Sequence, residues 1–207
     1  MKKHLTKRTF DLISGCLCLD FVNTLDHRLS SQPLEKLGGF AELVAFGEQV
    51  GVLSAPEARR LRSGERESTR EASALFKRAL AIREMLFRIF SAEVGCREVS
   101  EADVETLNAA VRRSNARSFV TPGDGKRTWQ WLEKSSDADR LIGKIVRSAV
   151  EVLTSRDIQR VKKCAADNCA WLFIDGSRSR NRRWCEMRTC GSRQKARTYY
   201  QRKKADG

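Results

Sequence analysis

Four cysteines near the end of the chain offer its clearest chemistry. Cys164 and Cys169 are separated by four residues, Cys185 and Cys190 by another four, and fifteen residues lie between the pairs. Tetrahedral Zn2+ takes four soft ligands at about 2.3 Å each. A short loop can close each pair, and a hairpin can bring the pairs together. The spacing therefore predicts a four-thiolate Zn2+ site. Four merely structural thiols would leave two matched pairs within 27 residues without a reason. The remaining cysteines, Cys16, Cys18 and Cys96, sit in apolar or helical surroundings and read as buried free thiols.

The elements that must position the thiols are legible around them. Residues 170–175 (AWLFID) are aromatic and branched and predict a strand. DGS at 175–177 is a turn signal, after which SRNRRW leads back to Cys185 as the second arm of a hairpin. Beyond Cys190 the run GSRQKARTYYQRKK predicts a helix, with Ser192 as its cap. Knuckle, hairpin and helix together are the layout of a treble-clef finger. Trp171, Phe173 and Trp184 are its expected miniature core.

Charge singles out the same region. The 207 residues carry 40 Lys and Arg against 26 Asp and Glu, a net of +14. Residues 160–207 hold 14 of those cations and only 4 of the acids. Four thiolates on one Zn2+ subtract two units, so the module keeps roughly +8, more than a finger needs for its own stability. Such a surplus predicts a polyanionic partner, double-stranded DNA first. The candidate phosphate contacts are Arg178, Arg180, Arg182 and Arg183 on the hairpin and Arg193, Arg197 and Lys204 along the helix. Arg193, Gln194 and Arg197 are the candidates to reach base edges.

The finger segment resembles the CGNR zinc finger. The matching residues are Cys164 to Cys169, the strand WLFID, RRWC ending at Cys185, and Met187 to Gly191 with the basic helix behind it. The family's Cys-Gly-Asn-Arg stands here as Cys190-Gly191-Ser192-Arg193. LCLDFVNTLDHR, residues 17–28, resembles the start of the ABATE domain that precedes this finger. The resemblance covers nearly the whole chain and implies a stress-induced transcription regulator.

The preceding residues read as a mostly α domain, 1–157, ahead of a finger at 158–207. Phe40, Leu43, Val44 and Phe46 make one helical arc. Ser54 caps a helix with Pro56 in its first turn. Residues 68–94 are the longest signal, with Leu75, Phe76, Ala79, Ile82, Leu86 and Ile89 at 3–4 spacing. Ser100 and Asp103 resemble a capping box ahead of Val104, Leu107 and Val111. Residues 118–133 predict two short strands about a turn at 122–125. Trp129 and Trp131 alternate along the second strand, so that one is expected to face inward. Residues 137–155 form a last amphipathic helix.

No stretch approaches the roughly 18 apolar residues that span a bilayer. The first 21 residues read as mature protein, with a reducing cytoplasmic setting as the default. The body offers two histidines, His4 and His27, and neither a phosphate loop nor a nucleophile elbow, so no enzyme is expected. Asp20, Asn23, Arg28 and Trp129 could line a small-molecule effector pocket; turn and cap hydrogen bonds are the competing role for Asp20 and Asn23. The leading expectation is a zinc-dependent DNA-binding regulator whose helical body senses a ligand or forms a homodimer. An RNA or ribosome binder, a small-molecule enzyme with a structural finger, and a protein-docking finger remain alternatives.

Overall fold

The computed structural model describes residues 10–64, 69–122, 127–132 and 137–205. In chain order the elements begin with α1 (Leu17–Val22), the ladder of β1 (Leu25–Asp26) and β2 (Leu34–Glu35), α2 (Phe40–Gln49) and α3 (Ala55–Gly64). Next come α4 (Thr69–Val94), α5 (Glu101–Asn115), a hairpin of β3 (Ser118–Pro122) and β4 (Arg127–Trp131), and α6 (Asp137–Leu153). A 3-10 turn (Arg156–Arg160) leads into β5 (Val161–Lys163), β6 (Leu172–Ile174), a π turn (Met187–Gly191) and α7 (Ser192–Ala205). The three sheets are two-stranded and antiparallel, and the fold is mostly α, as the patterning predicts. Ser68 and the hairpin tip at 123–126 lie outside the described residues.

α4 is the spine. Ala79, Ile82, Met85, Leu86, Ile89 and Phe90 are buried at helical spacing, while Leu75 and Phe76 pack partly buried at its beginning. α1, α2, α5 and α6 all pack on it. Each fully buried Leu, Ile, Phe or Met contributes about 1.5–3 kcal/mol through removal from water, so this stripe holds the domain together. At α3, the Glu57 carboxylate accepts from the Ser54 N–H at 2.7 Å and its hydroxyl at 2.8 Å. The Arg140 guanidinium beside Glu57 holds its carboxyl down at about 2.

α5 departs from expectation. Ser100 occupies the cap position without a side-chain cap bond. Asp103 does not reach back to it but turns to Arg88 of α4, at 2.5 Å. An aspartate lacks the methylene that lets Glu close a capping box. The helix consequently buries Asp103 and Leu107 and leaves Val104 exposed. Cys96 is likewise exposed, not buried: it sits just past α4 with φ 48, beyond the last buried turn.

The two tryptophans of β4, being two residues apart, share a face, and both turn toward α6. Trp131 lies against Gly143, where any side chain would overlap the indole. Trp129 stacks under Arg147 at 4.1 Å and stays half exposed.

A polar network unmarked in the sequence ties α4 to the β1–β2 ladder. Arg83, 3% exposed, forks onto Glu35 at 2.6 and 2.7 Å and also reaches Glu84 and Thr24. Burial opposes a guanidinium charge, and the two carboxylates more than offset it, raising the Arg83 pKa.

Candidate metal centre and nucleic-acid interface

The finger is built around β5 and β6, which flank the first cysteine pair. Lys163 lies opposite Leu172, and the next backbone bond runs from Cys164 N–H to the Trp171 carbonyl at 2.7 Å. Cys169 N–H closes the loop onto the Ala166 carbonyl at 3.1 Å, and Ala170 turns the chain with φ 62. The hairpin therefore encloses the first pair. It does not lie between the pairs: 170–175 supplies the expected strand, but its partner is the segment before Cys164, and 178–184 is not a strand. Arg178 to Arg183 offers no apolar alternation, whereas Val161 can bury its side chain in the body core.

Asp175 holds the return loop. Fully buried, it accepts from Lys162 Nζ at 2.7 Å, Ser177 N–H at 3.0 Å, Ser177 Oγ at 2.6 Å and Arg182 N–H at 2.9 Å. Burial opposes its ionisation, but the Lys162 ammonium and the donated hydrogen bonds hold its carboxyl well below the usual carboxylate range. A depressed folded pKa means the stabilisation is present above the ordinary value of about 3.9 and is lost as pH falls toward the folded one. Asp175→Asn is expected to cost about 2–3 kcal/mol at neutral pH, since Lys162 is only partly buried and keeps some solvent. Denaturant titrations of the two proteins should differ by that amount down to about pH 4 and converge below it.

The four thiols converge. Their Sγ atoms all lie within 4.8 Å of one another, and all four residues are buried. Cys169 and Cys185 are 3.7 Å apart at sulfur, Cys185 and Cys190 3.6 Å. A Zn2+ tetrahedron with 2.3 Å bonds has edges of about 3.8 Å, so the donor set fits that ion in type and size. Without a cation the thiols resist joint ionisation. Hydrogen bonds from Cys169 and Cys185 pull Cys164 down to about 2, while Cys185 and Cys169 are pushed up chiefly by bonding to Cys164, and Cys190 by burial. One thiolate forms easily and burial and repulsion oppose the rest, which is the electrostatic demand a divalent cation meets.

Behind the thiols Trp171 and Phe173 are buried and Trp184 packs alongside, the expected miniature core, joined by Ile13 from the body. Gly191 follows the last ligand and packs under the Met187 side chain, whose Sδ would lie 2.5 Å from an added β-carbon. Ser192 does not cap the helix. The chain is already wound from Met187 as a π turn, and the Ser192 hydroxyl donates back to the Met187 carbonyl at 3.1 Å.

The predicted cationic residues divide. Arg178, Arg180, Arg183 and Arg193 are exposed and have no acidic partner among the described residues. Arg188, which the sequence reading passed over, joins them. Gln194 is half-buried on α7, and Arg197 is exposed but paired with Asp167 of the knuckle at 2.5 Å. Arg182 departs from the expectation. Its guanidinium stacks on Phe173 at 4.3 Å, donates to the Trp184 carbonyl at 2.9 Å and bonds the Cys185 carbonyl, so it braces the finger from within. The Lys204 side chain lies outside the described residues.

The candidate effector residues are not brought together around either described cavity. Asp20 accepts from Ser14 N–H at 3.0 Å. Arg28 forks onto Glu84 at 2.6 and 3.2 Å and lies over Phe87. Trp129 is on the hairpin under Arg147. Asn23 has the least expected position: its Nδ2 donates to the Leu172 carbonyl at 2.8 Å and its Oδ1 accepts from Leu172 N–H at 3.0 Å. Ile174 N–H donates to the Ser14 carbonyl at 2.7 Å on the same edge of β6. Gly15 sits at φ +94, and a β-carbon added there would lie 3.3 Å from Ile174 Cβ. The body thus seals the open edge of the finger's sheet, and Val161 and Leu172 belong to the body's own core.

A helical body stitched to a four-cysteine, hairpin-and-helix module defines a zinc-finger protein. The chain matches the family model described as "Putative stress-induced transcription regulator" (ABATE) over residues 15–156 and that of the CGNR zinc finger over residues 160–203. It belongs to the ABATE family and carries a C-terminal CGNR finger. No curated protein matches it. Among the described residues no helix is long and apolar enough to cross a membrane.

Proposed function

We propose that this protein is a zinc-dependent DNA-binding transcription regulator, with no catalytic role. Cys164, Cys169, Cys185 and Cys190 hold Zn2+; the finger grips duplex DNA; the helical body senses a small molecule or joins two copies. The observation that carries the DNA reading is the contrast in how cations are partnered. Body arginines such as Arg28, Arg62, Arg83, Arg88 and Arg140 are ion-paired with nearby carboxylates. Arg178, Arg180, Arg183, Arg188 and Arg193 of the finger are exposed without an acidic partner among the described residues. Unpaired guanidiniums massed on a small rigid module suit phosphates, which they can fork bidentately. Arg193 and Gln194, at the start of α7, are the residues assigned to base edges.

Fluorescence titration of the zinc-loaded protein with a DNA duplex at rising salt tests this. Five phosphate contacts imply a slope of about −4.5 in log K against log salt, a loss of roughly 500-fold between 50 and 200 mM. A flat salt response would overturn the assignment. Tyr199 and Tyr200, 64% and 70% exposed on the basic helix, favour a second reading as a single-stranded RNA binder that stacks bases. Competition between duplex DNA and single-stranded RNA decides between the two.

A further inference from the structure

A cleft of about 280 Å3 beside α7 is walled in part by Cys169, Cys185 and Cys190 and belongs to the metal centre. A second cleft, of about 240 Å3, opens in the body among α4, α5, α6 and β4. Its inner wall is apolar: Ile82 of α4, Ala110 of α5, Ile142 of α6 and the ring of Trp131. Gly143 lets that ring lie directly on α6, and Ser114 places a buried hydroxyl beside it.

The mouth of the cleft is cationic. Arg78, Arg113 and Arg117 line it, with Asp139 as the one carboxylate among the lining residues. Arg78 and Arg117 both ion-pair with Asp139, so two guanidiniums share one acid. Arg113 is exposed and has no acidic partner among the described residues. Arg78 Nε is buried without a hydrogen-bond acceptor among the described residues, whereas Arg117 Nη1 faces Asp139. A buried guanidinium donor without an acceptor is costly, and a carboxylate is the planar anion that matches a guanidinium fork. The volume falls below the 300–1,000 Å3 of sites for drug-sized molecules, which limits the occupant to roughly one ring or a short chain.

We propose that this cleft is the body's ligand site and that it takes a small monocarboxylate with an apolar ring or short chain. The carboxylate lies on Arg113 and Arg117, and the apolar part against Trp131, Ile82 and Ile142. The inference deepens the ligand-sensing role proposed above and rests on it. Occupancy would reach the finger through packing already in place, because α4 touches β5 and α6 touches the 3-10 turn that leads into β5.

Calorimetric titration of the zinc-loaded full chain with benzoate, and separately with hexanoate, tests the site. Saturable binding of at least one is expected at millimolar concentration or below, with the neutral isostere benzamide at least about tenfold weaker than benzoate, one lost charge-assisted hydrogen bond. Arg113→Gln should weaken carboxylate binding by about tenfold while leaving the melting temperature unchanged, since Arg113 braces nothing described. Ala110→Leu, which fills the apolar wall, should abolish binding. No heat from either carboxylate, or binding that Arg113→Gln leaves intact, would overturn the proposal. No nucleic acid is present, so the result is independent of whether the finger grips DNA.

Discussion

Replacing Cys190 by serine is expected to empty the metal centre and to strip the protein of its affinity for nucleic acid. Serine offers a hard, protonated hydroxyl where Zn2+ takes a soft thiolate, and three remaining ligands leave an open coordination position. Structural Zn2+ sites in small fingers are worth on the order of 10 kcal/mol or more, far above what Trp171, Phe173 and Trp184 can supply as a core. The loss should not stay inside the finger. Val161 and Leu172 lie in the body's core and Ile13 of the body lies in the finger's, so an unfolded finger exposes both sides of a shared apolar contact. The expected result is less than stoichiometric zinc by elemental analysis, a lowered melting transition for the whole chain, and loss of the salt-dependent DNA complex. Cys16→Ser is the control: that thiol is 3.5 Å from Cys18 and remote from the metal ligands in sequence, so zinc content should be unchanged. A Cys190→Ser protein that keeps one zinc per chain and its DNA affinity would remove the basis for the finger.

The second large effect is expected at Asn23. The residue is 3% exposed and satisfies both backbone groups of Leu172, itself fully buried. Asn23→Ala leaves a buried N–H and a buried C=O without partners, at about 1–3 kcal/mol each, so a total of about 2–6 kcal/mol. Asn23→Asp should be comparably damaging, because a carboxylate oxygen then faces the Leu172 carbonyl where a donor stood. Hydrogen exchange reads the consequence directly. The Leu172 amide should lose most of its protection in Asn23→Ala, which removes its acceptor, and less in Asn23→Asp, which keeps one, while the Cys164 amide, bonded within the finger to Trp171, should keep more of its own. Unchanged protection at Leu172 would show that the edge of β6 does not depend on Asn23.

Asn23 also marks how far one-dimensional reasoning reaches. Its neighbours suggest a turn or cap, or a pocket wall, because those are the roles a polar residue at a helix end can take locally. Its actual partner lies 149 residues away, and no local spacing encodes that distance. Arg83 makes the same point. It stands within a helical run beside Glu84 as one more charge, and only the approach of Glu35 turns it into a buried hub. The proposed ligand cleft was no more legible: Trp129 and Trp131 share a face where one alone was expected inward, and Arg78 of α4 meets Arg113 and Arg117 of the α5 end only in the folded chain. The hairpin pairing went to β5 because the β6 backbone bonds whichever strand can also bury its side chains, and Val161 can do so against the body.

The amino-acid order by itself determined what depends on residue type and short spacing: the two thiol pairs and their zinc chemistry, the concentration of positive charge at 160–207, and the helices whose apolar stripes repeat every three to four residues. Tertiary structure alone decided which of the finger's arginines face solvent and which, like Arg182, brace it, and that the body closes the finger's open strand. Those outcomes depend on hydrogen-bond donors and apolar surfaces meeting across long chain separations, where the saving comes from removing both partners from water at once.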